Sequence, residues 1–128
     1  MLDLTQVADE IRSRPGRKRE QIVATITRLV AFGNFASDQR LPSALSLARL
    51  LDVNKSTVTE AYHVLGATGV IRLNRNVAPS IASIGAARDI ISCDVRSRFD
   101  DALRDARALG WARADLDPFI AHLFAEQS

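Results

Sequence analysis

The spacing of apolar residues predicts four helices in the first half of the chain. Within each of these stretches, apolar residues recur every three or four positions, which is the period of an amphipathic helix. Asp3, Ser43 and Asn54 are suited to cap the first, third and fourth helices, because their side chains can accept hydrogen bonds from main-chain amides. Pro15-Gly16 and Gly33-Asn34 are expected to end the first and second helices.

A strand-like pattern replaces the helical period after the fourth helix, which covers about residues 55–68. Residues 70–73 and 77–83 predict two strands joined by the turn-prone segment 74–76, and Pro79 restricts the second strand to an edge or an end of the sheet. Two short helices that meet at a three-residue turn and precede a hairpin predict a winged helix-turn-helix. The expected fold is therefore mainly α with a small β-hairpin wing. Its core is expected to contain Ile22, Ile26, Leu29, Leu47, Leu51, Val58, Ala61, Tyr62, Leu65 and Ile71.

Residues 86–128 predict two more helices, which carry more apolar surface than they can bury against each other. In the first, apolar residues recur from position 91 to position 109. In the second, Asp115 or Asp117 is the expected cap, and Pro118 is expected in the first turn. We expect this tail to form a two-fold dimer; the alternative is packing on the winged domain of the same chain. The expected dimer interface contains Ile91, Val95, Phe99, Ala102, Leu109, Phe119, Leu123 and Phe124.

The charge of the chain is unevenly distributed among three predicted segments. These are an N-terminal helix with a basic turn (1–16), the winged helix-turn-helix (17–85) and the dimerisation tail (86–128). The 128 residues carry a formal net charge of +2, but the first 85 contain eleven Lys or Arg against seven Asp or Glu, and the tail contains six against eight. The basic part is therefore the candidate for a polyanionic partner.

The composition argues against several classes of protein. Cys93 is the only cysteine, and His63 is distant in sequence from His122, so neither a disulfide framework nor a structural zinc site is expected. The chain has no 18-residue apolar stretch and no signal-like leader, which favours a soluble cytoplasmic protein without a membrane partner. No phosphate-binding loop or nucleophile motif is present. We therefore expect neither an enzyme nor a cofactor.

Several motifs in fixed order give residues 17–83 a family resemblance. In order, they are Arg40-Leu41-Pro42-Ser43, Leu47-Ala48, Val53-Asn54-Lys55-Ser56-Thr57-Val58, Ala61-Tyr62, Leu65 and Gly69-Val70-Ile71. This region resembles the DNA-binding domain of the GntR family of bacterial regulators, and most of all its YtrA subfamily, whose short members end in two helices. The resemblance implies a transcriptional repressor that binds a two-fold symmetric double-stranded operator as a homodimer.

The candidate DNA contacts lie at the start of the predicted recognition helix and on the wing. The positive end of this helix and Lys55 suit phosphates, and the side chains that follow can reach base edges. Arginines on the wing suit phosphates as well. The candidate set is Ser43, Lys55, Ser56, Thr57, Thr59, His63, Arg72 and Arg75.

The sequence also departs from the family pattern. Leu45 and Thr59 stand where the family usually has arginines, and the wing turn lacks the usual glycines. Since an arginine pairs with guanine through two hydrogen bonds, these departures leave the operator preference open. One alternative is a winged-helix interaction module that has lost specific DNA binding. Another is that the chain is the amino-terminal part of a larger fused regulator, but the two-helix ending argues against it.

Overall fold

A computed structural model of the chain describes residues 4–126, except for the side chain of Leu4. The cap expected at Asp3 lies outside these residues. Within them, six helices and one antiparallel hairpin follow the predicted order of a winged helix-turn-helix and two further helices. Their bounds are α1 (Leu4–Ser13), α2 (Lys18–Ala31), α3 (Ala44–Leu51), α4 (Lys55–Ala67), β1 (Ile71–Arg72), β2 (Ser80–Ile81), α5 (Ile84–Ala108) and α6 (Arg113–Glu126).

The chain divides into two compact units, with the boundary between Ser92 and Cys93 inside α5. The first unit contains α1 to α4, the hairpin and the first turns of α5. The second contains the rest of α5 and α6. None of the helices between residues 4 and 126 has the length and hydropathy needed to cross a bilayer.

The core of the first unit lies around α4, because α2 and α3 both pack against this helix. All ten core positions predicted from the sequence are buried. The first turns of α5 add Ala87 and Ile91 to the same core, with 0% and 8% exposure. The removal of these apolar side chains from water is the main force that holds the helices of this unit together.

The ends of α3 and the start of α4 define the helix-turn-helix. The Ser43 hydroxyl accepts a hydrogen bond from the Ser46 amide at 3.1 Å, which confirms its predicted role as the cap of α3. Asp52 ends α3 in the left-handed conformation, with φ of 55°. Asn54 occupies the N-cap position of α4, but its side chain makes no capping hydrogen bond; its carbonyl accepts from the Thr57 amide at 3.0 Å.

The wing is a shorter hairpin than the sequence predicted. Only Ile71 pairs with Ile81 and Arg72 with Ser80, so each strand has two residues. Pro79 directly precedes β2, in agreement with its expected place at the end of a strand, and its carbonyl accepts from the Leu41 amide at 2.8 Å. These contacts hold the base of the wing against the segment that leads into α3.

The start of α6 differs from the prediction. The helix begins at Arg113, not after Asp115 or Asp117, because the Asp115 carboxylate reaches back to accept from the Ala112 amide at 2.8 Å. A carboxylate in the first helical turn that binds the N-cap amide is half of a capping box. Pro118 therefore lies in the second turn and not in the first.

Candidate nucleic-acid interface

A cleft of about 470 Å³ lies between the start of α3, the exposed side of α4 and the wing. Four of the eight candidate DNA contacts line it together, namely Ser43, Lys55, Thr59 and His63. Lys55, Thr59 and His63 follow one another at four-residue intervals on α4, and Ser43 is the N-cap of α3, so the folded helix-turn-helix brings them to one surface. The remaining lining residues are Ala44, Leu45, Tyr62, Leu73, Asn76, Val77, Ala78 and Pro79.

The candidates on α4 differ in how their polar groups are used. Lys55 and Ser56 are exposed in the first turn, whereas Thr57 is half-buried. The Thr59 hydroxyl donates to the Lys55 carbonyl at 3.0 Å, which commits its hydrogen to the main chain. His63 is exposed two turns after Lys55. The exposed side of α4 therefore presents one permanent cation and several small hydrogen-bonding groups.

Tyr62 fixes the position of α4 relative to the start of α3. Its side chain is buried, and its hydroxyl donates to the Pro42 carbonyl at 2.7 Å. Burial raises the pKa of the Tyr62 hydroxyl above its ordinary value, because the charged phenolate loses its hydration. This hydrogen bond joins the recognition helix to the residue directly before Ser43, so the two sides of the cleft are held at a fixed distance.

The hydroxyl of Ser43 is occupied within the cap itself. It donates to the Ser46 hydroxyl at 2.9 Å while it accepts from the Ser46 amide. The free amides of the first turn of α3 remain available for an anion, since the first amides of a helix have no partner within it. The structure therefore places Ser43 at the cleft mainly as a positioning residue for that turn.

The two wing arginines of the candidate set lie outside the cleft lining. Arg72 is exposed and forms an ion pair of 3.5 Å with Asp38, a residue that sequence reasoning did not select. Arg75 is exposed in the turn between the strands. Asn76 follows in the left-handed conformation, with φ of 65°, and turns the chain back toward the cleft.

Leu73 brings the wing against the recognition helix at Gly66. A Cβ atom built on Gly66 would lie 2.9 Å from the Cδ1 atom of Leu73, closer than such atoms approach in proteins. A side chain at position 66 would therefore require the exposed Leu73 side chain to shift. Sequence reasoning missed Leu73 and Val77 as cleft residues. The signal that could have identified them is their position as apolar residues on either side of the polar turn 74–76.

Three of the five residues in the basic cluster around Pro15-Gly16, which consists of Arg12, Arg14, Arg17, Lys18 and Arg19, have side-chain contacts within the chain. Arg12 binds Asp9 at 3.0 Å and donates to the Leu50 carbonyl. Three further contacts involve cluster or neighbouring residues, namely Arg14 to the Thr25 hydroxyl at 3.1 Å, Gln21 to the Arg14 carbonyl, and Arg19 to Glu60 at 4.0 Å. Much of this cluster thus has a structural role in joining α1, α2, α3 and α4.

The second unit carries a separate apolar groove of about 420 Å³ between α5 and α6. Seven of the eight candidate dimer residues are exposed, and Phe99, Leu109 and Phe119 have 59%, 77% and 51% of their surface in solvent. Ile91 is the exception, since it is buried in the core of the first unit and belongs there. The groove is lined by Phe99, Ala102, Leu103, Asp105, Ala106, Leu109, Trp111, Leu116, Phe119, Ile120 and Leu123.

Residues 4–126 contain no group of three His, Cys, Asp or Glu side chains arranged to hold a metal ion. Cys93 is exposed and forms no disulfide.

Comparisons with known proteins agree with this architecture. The model of the family described as bacterial regulatory proteins, gntR family, matches residues 18–79. This match confirms the family resemblance seen in the motifs, and the family consists of regulators, as expected, and not of enzymes. The comparison with curated proteins found no match.

Solved structures extend the similarity of the fold beyond the winged domain. A transcriptional regulator from Oenococcus oeni has a TM-score of 0.79 at 19% identity, over 87% of this chain and 93% of that chain. A GntR family transcriptional regulator from Listeria monocytogenes has a TM-score of 0.68 at 20% identity, over 84% of this chain and 95% of that chain. YtrA from Sulfolobus acidocaldarius, a GntR-family transcription factor, has a TM-score of 0.53 at 26% identity, over 70% of this chain and 93% of that chain.

Proposed function

Because residues 18–79 form a GntR-family domain with the DNA-binding fold of that family, we propose that this protein is a sequence-specific transcription regulator that binds double-stranded DNA as a homodimeric repressor. The observation that carries the proposal is the shared cleft, where Ser43, Lys55, Thr59 and His63 meet beside the wing. A recognition helix with an exposed polar side next to a hairpin is the arrangement that places a helix in the major groove.

The proposed contacts divide into positioning and reading groups. The amide end of α4, together with Lys55 and Ser56, is suited to the phosphate backbone, because helix amino ends and cations both attract anions. Thr57 at the edge of this turn adds a hydroxyl for a phosphate. Thr59 and His63 lie further along the helix, where side chains reach base edges.

The wing supplies the second part of the proposed interface. Arg75 is exposed in its turn and Arg72 at its base. Both suit phosphates of the strand that flanks the major groove, so they add affinity with little sequence information.

The dimer is proposed from the exposed apolar side chains of the second unit. Aromatic and aliphatic side chains such as Phe99, Leu109 and Phe119 are costly to leave in water, and an interface between two copies buries the same surface on both. Seven of the expected residues support this interface, namely Val95, Phe99, Ala102, Leu109, Phe119, Leu123 and Phe124. A dimer of this kind would bind two half-sites of a symmetric operator in the cytoplasm. It would repress transcription where that operator overlaps a promoter.

Selection from a random pool of duplex DNA tests the proposal. The expected result is an enriched inverted repeat whose half-sites lie about one helical turn, or roughly 10 base pairs, apart. Titration of the enriched duplex against a scrambled one, followed by fluorescence anisotropy, measures the preference. Equal binding to both duplexes contradicts sequence-specific regulation and favours the interaction module. The observation that favours this alternative is Leu45, which is 44% exposed and stands where the family usually has an arginine.

A further inference from the structure

The cleft beside the recognition helix presents an apolar surface where a DNA-reading surface would ordinarily be polar. Leu45 on α3, Leu73 after β1 and Val77 in the wing all line it, and their exposed fractions are 44%, 42% and 48%. Leu45 belongs to α3, whereas Leu73 and Val77 both belong to the wing, so the apolar surface is a product of the fold and not of one hydrophobic stretch. We call these three side chains the aliphatic patch.

The charged residues around the aliphatic patch favour a negatively charged partner over an uncharged apolar protein surface. Lys55 lines the same cleft, and none of the twelve lining residues is Asp or Glu. Arg75 is exposed on the adjacent wing turn. A ligand for this cleft must therefore combine negative charge with small apolar groups at its edge.

The major groove of DNA has both properties. Its phosphates are negative, and the C5 methyl of thymine is the one apolar group that its base edges display. The cleft lining holds no arginine, so the side chain that most often recognises guanine is absent from it. Thr59 adds to the same chemistry, because its hydroxyl hydrogen is bound to the Lys55 carbonyl and its methyl group remains for an apolar contact.

We propose that Leu45 and Val77 of the aliphatic patch, together with Thr59, recognise thymine methyl groups in the major groove. At the base pairs that face the cleft, the protein thereby recognises A·T and not G·C. Leu73, the third member of the patch, lies against Gly66 of α4. This inference rests on the proposed DNA-binding function. It assigns a specificity role to Leu45 and Val77, which no hydrogen-bonding argument selects.

Replacement of single thymines by deoxyuridine tests the proposal, because the change removes one methyl group and leaves base pairing intact. The probe is the duplex that selection enriches, with each thymine of a half-site replaced in turn. We expect about a fourfold loss of affinity at one or two thymines per half-site, the effect of a single buried methyl-sized group, and no change elsewhere. Insensitivity at every thymine overturns the inference while DNA binding stands.

The Leu45→Ala variant assigns the methyl contact to a residue. We expect it to bind the thymine and deoxyuridine duplexes equally at the sensitive position, whereas the wild type distinguishes them. Val64→Ala is the matched control, since Val64 is a 37% exposed aliphatic residue on α4 that does not line the cleft, and it should keep the wild-type discrimination. A Leu45→Ala protein that still distinguishes the two duplexes removes Leu45 from the proposal. Absence of binding to any duplex overturns the proposed function itself.

Discussion

At the scale of single residues, the two lysines of the chain offer a controlled comparison. Lys18 and Lys55 each occupy the first residue of a helix, and both are exposed. Only Lys55 lines the cleft. The same loss of charge can therefore be made at a proposed contact and away from it.

The Lys55→Ala substitution should weaken DNA binding and lower the slope of log affinity against log salt by about one unit, because one phosphate contact releases about one counterion. The measurement is anisotropy on one duplex over a series of salt concentrations. Lys18→Ala should leave the slope unchanged. Equal changes in both variants would mean that net charge and not a contact at Lys55 causes the effect.

Asp38 is expected to oppose DNA binding at the wing. It pairs with Arg72 at 3.5 Å, and both side chains are largely exposed, so the pair contributes little to stability. Asp38→Asn removes a negative charge beside the proposed phosphate contact and should raise affinity about threefold at low salt.

Asp52→Asn is the matched control for this change. Asp52 is also an exposed aspartate in the left-handed conformation, with φ of 55° against 64° for Asp38, a conformation that asparagine tolerates. It lies in the turn between α3 and α4 and has no ion pair among those found in residues 4–126. If both substitutions raise affinity alike, Asp38 has no specific effect on Arg72.

At the scale of elements, the position of the recognition helix depends on the hydrogen bond between Tyr62 and Pro42. Tyr62→Phe should lower the free energy of unfolding by about 1 kcal/mol near neutral pH, because the Pro42 carbonyl loses its donor. Urea denaturation measures the loss. An unchanged free energy of unfolding would mean that solvent replaces this bond at no cost.

The same residue gives an alkaline pH dependence with a definite sign. Since burial raises the pKa of Tyr62 in the folded state, its contribution is complete below the unfolded pKa of about 10 and is lost as pH rises above that value. Tyr62 is the only tyrosine, so phenolate absorbance reports on it alone. In the wild type, the phenolate absorbance should appear together with unfolding. Tyr62→Phe should lack this part of the pH dependence.

The elements show which features the sequence could predict. The buried positions of α4 followed from a local repeat, in which Val58, Tyr62 and Leu65 face one way. The start of α6 did not, because the Asp115 carboxylate accepts a hydrogen bond from the preceding Ala112 amide, which competes with simple capping by an aspartate that precedes the helix. In the site, the exposed polar side of α4 was predictable. The Arg72–Asp38 pair and the place of Leu73 in the cleft depend on contacts between distant segments, and a local pattern does not contain them.

At the scale of the whole molecule, removal of the second unit tests the dimer. A chain that ends at Ser92 retains Ala87 and Ile91 in its core and should stay folded. It should be monomeric and lose at least a hundredfold in affinity for the symmetric duplex, because its two half-sites are then bound independently. Weak binding to unrelated DNA should remain.

Sedimentation and DNA titration on the same sample decide between the possible roles of the second unit. Phe99→Asp in the full chain is the control, since it should disrupt the dimer without loss of any segment. A truncated chain that is still a dimer places the interface in the first unit. A monomeric full-length protein contradicts the two-fold operator.

Gly66 links the helix propensity of α4 to the position of one side chain in the wing. A glycine inside a helix costs about 1 kcal/mol relative to alanine, so Gly66→Ala would strengthen α4 as an isolated helix. The new methyl group would lie 2.9 Å from the Cδ1 atom of Leu73, so this exposed side chain would have to shift within the cleft. A search for more stable variants would favour this substitution, but it would also change the apolar lining of the cleft. Glycine at this position thus lowers the helix propensity of α4 and leaves room for the Leu73 side chain in the cleft lining.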